Sequence, residues 1–134
     1  MELIAMAVVD EIADIRLYEH EAMLFRRKVI GGDRIGAMFE RFAEEERAHH
    51  EALRGMASID DLGKVSPGAP PRSDSLRETL RTHVERELRS IRTCEELLRK
   101  LTDAKQRLLV KGIMADEKDH LQAALKYLKR LRPF

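Results

Sequence analysis

The sequence of 134 residues contains one cysteine, Cys94. No internal disulfide can form, and CxxC metal sites and iron–sulfur clusters are excluded. Tryptophan is absent and aromatics make up 4%, too few for a platform that stacks single-stranded nucleic acid. Neither charge dominates: 25 Lys+Arg against 24 Asp+Glu leave a net +1. No nucleic-acid or anionic-membrane partner is expected from so weak a field. No apolar run approaches the roughly 18 residues that span a bilayer. The start, Met1-Glu2-Leu3-Ile4-Ala5, has no basic segment, so it does not read as a signal peptide and a cytoplasmic location is expected.

Proline and glycine are few and clustered. Gly31-Gly32-Asp33 forms one break, residues 58–73 a second with Ser66-Pro67-Gly68-Ala69-Pro70-Pro71 inside it, and Leu101-Thr102-Asp103 a third, where Thr102 or Asp103 could cap a helix. Pro133 closes the chain. Hydrophobic residues are 43% and charged residues 37%, the mix of a globular chain, and its length fits one domain over 1–134. Four segments rich in Ala, Leu, Glu, Arg and Lys remain, at about 3–30, 34–57, 74–101 and 104–131. None alternates like a strand, so all four are expected to be helices. Each carries an apolar stripe, for example Ile4, Val8, Ile15, Ala22, Phe25 and Val29 on the first, and four such stripes make an all-α four-helix bundle. The short breaks make the first and last pairs antiparallel. The long middle break could run the length of the bundle or form a loose loop.

Polar residues interrupt these stripes. Glu11 lies between Val8 and Ile15, Glu46 and His49 between Phe42 and Leu53, Glu87 between Val84 and Ile91, and Glu117 and His120 between Met114 and Leu121. Every helix therefore sends one carboxylate inward. Glu46-Arg47-Ala48-His49 and Glu117-Lys118-Asp119-His120 repeat one motif whose i,i+3 spacing lets both side chains reach one point. Height matters too. Glu87 stands 14 residues before Leu101 and Glu117 14 after Asp103, so these two are level. Glu11 stands 19 residues before Ile30 but Glu46 only 13 after Asp33. That offset of six residues amounts to about 9 Å of rise. Glu19 is the more level alternative but lies off the stripe.

Burying unpaired charges costs several kcal/mol each, and no Arg or Lys lies near the centre of a stripe. Two divalent cations would balance four carboxylates, with two imidazoles as neutral ligands. Oxygen and imidazole donors suit Fe, Mn or Zn, and such a ligand set is known in bundle cores.

At these residues the sequence resembles the ferritin-like di-iron carboxylate superfamily, nearest to rubrerythrin-like and bacterioferritin-like proteins. The resemblance rests on Glu11 with Tyr18 seven residues on, Phe39 to His49, Glu87, and Glu117 with His120. It favours Glu11 over Glu19. It implies a ferritin-like four-helix bundle with a long crossover between helices 2 and 3, and two Fe ions that react with O2 or H2O2. It also implies that Glu46 and Glu117 bridge the metals, with Glu11 and His49 completing one site and Glu87 and His120 the other. Ser90 stands where rubrerythrins carry an extra carboxylate, no CxxC pair is attached and no fifth helix follows. These departures weaken a strict rubrerythrin-type peroxidase and a storage cage, and favour a ferroxidase-like centre.

Around the ligands, Tyr18 could bond a carboxylate or donate an electron, or be an interior tyrosine with a satisfied hydroxyl. Cys94 reads as a small core residue rather than a redox partner. His83 lies one turn before Glu87 on a similar face and could guide protons or iron inward, although solvation at a helix edge is the expected role; His20 reads as surface. His50, Asp116 and Asp119 could orient the imidazoles or be ordinary solvated charges. Lys126, Lys129, Arg130 and Arg132 suit the negative end of the last helix's dipole. Leu3, Met6, Leu17 and Leu24 lie off the main stripe and suggest a second contact surface, as in a homodimer. The electron donor is not legible. The expectation is a di-iron oxidoreductase of ferroxidase or peroxidase type. A quinone-hydroxylase-like enzyme and a metal-free helical interaction module are the alternatives.

Overall fold

The computed structural model describes residues 1–65 and 73–131. Its elements are α1 (Glu2–Lys28), α2 (Gly32–Arg54), the short α3 (Ile59–Leu62), α4 (Leu76–Lys100) and α5 (Ala104–Arg130). No strand occurs among the described residues. The four long helices are those expected, with ends displaced by a few residues. α3 was not expected; it lies inside the segment read as a break, where the Ser58 side chain caps it by accepting from the Asp61 N–H. Ser75 caps α4 through the Glu78 N–H. Asp103, not Thr102, caps α5 through the Gln106 N–H. Each such cap satisfies a backbone donor that the helix start leaves unpaired, a contribution of about 1 kcal/mol.

The turn from α1 to α2 depends on two glycines. Gly31 has φ +74°, a left-handed conformation that costs a side-chain-bearing residue. A Cβ on Gly32 would lie 1.9 Å from the Phe25 carbonyl oxygen, so only glycine fits there.

Cross-helix contacts fix the topology. Arg26 meets Glu40, and Arg47 Nη2 lies 2.9 Å from Glu19 Oε1, so α1 and α2 are antiparallel. His83 meets Glu21 while Arg86 meets Asp14, so α4 is antiparallel to α1. α2 and α4 therefore run parallel, and the chain must cross the length of the bundle between them. Asp61 lies 2.7 Å from the Met1 nitrogen at one end, and Lys28 bonds the Asp74 carbonyl at the other. This is the long crossover of a ferritin-like bundle. Its Ser66–Pro71 core, along with Arg132 and Pro133, lies outside the described residues.

Among the described residues the core is two larger apolar clusters with a polar layer between, beside which Leu17, Tyr18 and Ala43 form a third, smaller one. One holds Ile4, Val8, Leu53, Leu97, Val110 and Ile113. The other holds Ala22, Phe25, Phe39, Leu80 and Ala124, with the Phe25 and Phe39 rings stacked 5.2 Å apart. Leu17 and Leu24 are buried inside the chain. The apolar residues off α1's main stripe thus include two that pack within the bundle rather than on an outer surface. Met6 is 41% exposed. Among the described residues, no helix is long and apolar enough to cross a membrane.

Candidate metal centre

All six carboxylates and imidazoles singled out from the stripes are buried: Glu11, Glu46, His49, Glu87, Glu117 and His120. They fall into two groups whose donor atoms all lie within 4.8 Å of one another, Glu11–Glu46–His49–Glu117 and Glu46–Glu87–Glu117–His120. Glu46 and Glu117 belong to both groups.

The height mismatch resolves in two steps. α1 ends at Lys28 and α2 begins at Gly32, which removes half of it. Glu11 then pairs with His49 rather than Glu46, and that ring lies one helical turn further on. His49 Nδ1 is 3.9 Å from Glu11 Oε2, 3.6 Å from Glu46 Oε1 and 3.0 Å from Glu117 Oε1. Glu19 is exposed and pairs with Arg47.

Both imidazoles turn Nδ1 inward. His120 Nδ1 is 3.1 Å from Glu46 Oε1 and 3.7 Å from Glu87 Oε1. Both turn Nε2 outward onto a carboxylate of the facing helix: His49 onto Asp116 at 2.7 Å, His120 onto Glu45 at 2.7 Å. Each of these outer carboxylates immediately precedes a ligand candidate, Glu117 or Glu46. An Nε2–H held by a carboxylate leaves the Nδ1 lone pair free for a cation and fixes the ring's orientation. Asp116 therefore orients an imidazole. Asp119 is exposed and does not. His50 instead donates to the Val8 carbonyl at 3.1 Å.

The residues present fit a cationic group. Glu11 Oε2, both Glu46 oxygens, Glu87 Oε2, Glu117 Oε2 and His120 Nδ1 are buried without a hydrogen-bond partner. Among the described residues, no Lys or Arg forms an ion pair with any of the six. Without a cation, burial first, and then the neighbouring Glu117, pushes the Glu46 and Glu87 carboxyls above their ordinary range. Burial opposes charge on His49 too, but Glu117 and Glu46 outweigh it and raise its pKa to about 11. Protons hold the cluster together where cations are the better match.

Several neighbours depart from the sequence reading. His83 is fully buried rather than solvated, because α4 continues its inward stripe through it. It bridges Glu21, 2.8 Å from Nδ1, and Glu87, 3.2 Å from Nε2. Glu21 and Asp14 are both buried, and periodicity along α1's apolar stripe missed them. The 3–4 spacing Glu11, Asp14, Tyr18, Glu21, Phe25 is the signal that would have found both. Arg86 reaches in from α4 to pair with Asp14. Tyr18 is fully buried and its hydroxyl has no hydrogen-bond partner. Its ring, rather than its hydroxyl, meets the centre, 4.3 Å from the His83 ring and 5.7 Å from that of His120. Cys94 packs in the apolar cluster with Leu97 and Ile113. Burial, and then the nearby Glu117, pushes its thiol up to about 12, so it is no thiolate at neutral pH. His20 is half-buried and donates to the Ser73 carbonyl at 2.7 Å.

A bundle with this crossover, carrying one inward carboxylate on each long helix and Glu-x-x-His on two, belongs to the ferritin-like class of helical proteins. The rubrerythrin family model matches residues 2–128, and the chain belongs to that family. No curated protein sequence matches it.

Proposed function

We propose that the chain is a di-iron oxidoreductase of ferroxidase or peroxidase type, reacting with O2 or H2O2. The observation that carries this reading is the set of four buried carboxylates with orphaned oxygens and no cationic side chain beside them. Two Fe ions held by these residues would supply the electrons that reduce the oxidant. Mn or Zn could take the same donors.

The chain's own residues do the rest. Glu46 and Glu117, common to both groups, would serve both positions, with Glu11 and His49 completing one and Glu87 and His120 the other. Asp116 and Glu45 hold the imidazoles so that Nδ1 faces inward. The Leu, Ile and Phe clusters on either side exclude water. A crevice lined by Asp10, Glu11, Ser90, Thr93 and Cys94 reaches the Glu11 side with about 10 Å³ of free volume, the room of a single water molecule. That size favours a small oxidant over an organic substrate such as a quinone. A metal-free interaction module would leave the orphaned oxygens unexplained.

The test is anaerobic loading with Fe(II) and a count of iron per chain, with Glu46→Ala/Glu117→Ala as control. About two irons per chain, lost in the variant, is the expected result. Near zero in both proteins would end the metal reading. Mixing the loaded protein with O2 or with H2O2 then identifies the oxidant by which one is consumed.

A further inference from the structure

The two candidate ligand groups offer the same donors. Each has one glutamate and one histidine of its own, Glu11 with His49 and Glu87 with His120, and both share Glu46 and Glu117. Each histidine also rests Nε2 on one outer carboxylate. Donor chemistry therefore gives no reason for the two positions to hold a metal differently. Their surroundings do.

Around Glu87 and His120 the walls are aromatic. The His120 ring lies 4.3 Å from that of Phe42 and 5.7 Å from that of Tyr18. His83, packed between Tyr18 and Phe39, covers Glu87 from 3.2 Å. Around Glu11 the wall is made of small side chains from α1 and α4: Ala7, Asp10, Ser90, Thr93 and Cys94 line the crevice that ends at Glu11. Asp10, Ser90 and Thr93 are half-buried, whereas Cys94 and Glu11 are buried, so the crevice leads inward from the surface. Arg86 donates to the Asp10 carbonyl at 3.2 Å, and Arg89 Nη2 lies 3.2 Å from Asp10 Oδ2. These bonds hold α1 and α4 at a fixed spacing beside the crevice, whose free volume of about 10 Å³ takes one water molecule. Exposure follows the same division: Glu11 is 4% and His49 5% exposed, against 0% for Glu87 and His120.

A metal leaves such a centre by giving up its donors to water in turn, and the shell around the donors controls how water reaches them. We propose that the Glu11–His49 position is the exchangeable one of the two, its metal passing to and from solution through the α1–α4 crevice, while the Glu87–His120 position retains its metal behind the aromatic wall. Ser90 and Thr93 then set the rate of exchange, although neither is a ligand candidate. This division rests on the metal reading above and gives the two positions different roles within it.

The test uses the full chain loaded anaerobically with about two Co(II) ions. The loaded protein is mixed with excess EDTA, and the visible absorption of the bound cobalt is followed. Wild type is expected to lose its ions in two phases, one ion in each, the first at least about tenfold faster. Ser90→Leu fills the crevice from α4 and is expected to slow the first phase about tenfold while leaving the second unchanged. A single phase in wild type overturns the division and leaves the centre intact. So does a first phase that Ser90→Leu does not slow, or a second phase that slows in its place. Wild-type protein that binds fewer than two Co(II) ions overturns the two-position centre and the division with it. Should Ser90→Leu fail to fold, Thr93→Ala, which widens the crevice, decides: a quickened first phase supports the division, and an unchanged one overturns it.

Discussion

On α2 and α5 the two Glu-x-x-His repeats are treated alike: His49 and His120 each turn Nδ1 inward and rest Nε2 on a carboxylate of the facing helix, Asp116 or Glu45. On α1 and α4 the lone glutamates are treated differently. Glu87 is held by His83 in a fully buried setting. Glu11 Oε2 has no hydrogen-bond partner, and Glu11 lines a crevice with Asp10, Ser90 and Cys94. The repeated motif supplies what any cation there requires. The unrepeated residues make one side closed and leave the other against a crevice; on the proposed reading, that would separate holding a metal from admitting a reactant.

The largest effect expected concerns both sides at once. Metal bound only by the folded state adds about 2.7–4.1 kcal/mol per site at free metal of 100–1,000 times Kd. Loading the metal-free protein with Fe(II) or Co(II) should therefore raise the melting temperature by about 10 °C or more. Calorimetry with and without chelator measures this. An unchanged midpoint would mean that the polar layer is satisfied by protons alone.

The next effect should separate the two sides in the metal-free protein. Glu11→Met removes a buried carboxylate whose orphaned oxygen nothing pairs, and is expected to be neutral or stabilising. Glu87→Met removes the partner of His83 and leaves a buried ring nitrogen unpaired, at about 1–3 kcal/mol. Urea denaturation of the two variants compares them directly. Equal stabilities would show that His83 gives Glu87 no support.

A smaller and symmetric effect should follow on the other two helices. Asp116→Ala and Glu45→Ala each free one imidazole to rotate, and each is expected to weaken metal binding about 10–100-fold. A large difference between them would mean that the likeness of His49 and His120 is one of geometry only.

How much of this could be read from the sequence follows the same division. The repeated motif was legible because helix periodicity places Glu46 with His49, and Glu117 with His120, on an inward stripe, and α5 buries little else: Val110, Ile113, Glu117, His120 and Ala124. α1 buries far more of its circumference, from Ile4 and Ala5 round to Glu21 and Leu24, because it packs against both α2 and α4. A single-stripe reading of such a helix finds Glu11 but not Asp14 or Glu21, and it misplaces Leu17 and Leu24 on an outer surface. His83 was placed on the face of Glu87 but read as solvated for a related reason: its partner, Glu21, was not predicted by the stripe, and an inward histidine without a visible partner reads as solvated. The crossover followed from helix directions once cross-helix pairs were known. Its length alone left a loose loop open.

The smallest effect expected is a slope of stability with pH, and its sign follows from the protons that the metal-free cluster holds. Burial, and then Glu117, raises Glu87 well above 4.5, so the unfolded chain ionises there first and stability falls as pH rises past 4.5. His49 is raised from 6.5 to about 11, so the stability it contributes is complete below 6.5 and is lost as pH climbs toward 11. Glu117 has the opposite sign. Burial works against its charge, but hydrogen bonds from Glu87 and His49 win and lower it to about 2; its contribution is complete above 4.5 and lost on acidification. Metal-free protein should therefore be most stable near pH 4.5 and should weaken above that, more steeply past 6.5. Metal reverses the demand, since it needs Glu87 ionised and His49 neutral and releases their protons on binding. The gap in melting temperature between Co(II)-loaded and metal-free protein should widen as pH rises from 6.5 to about 8. A gap that stays constant or narrows would show that the buried protons and the metal do not compete for the same oxygens and nitrogens.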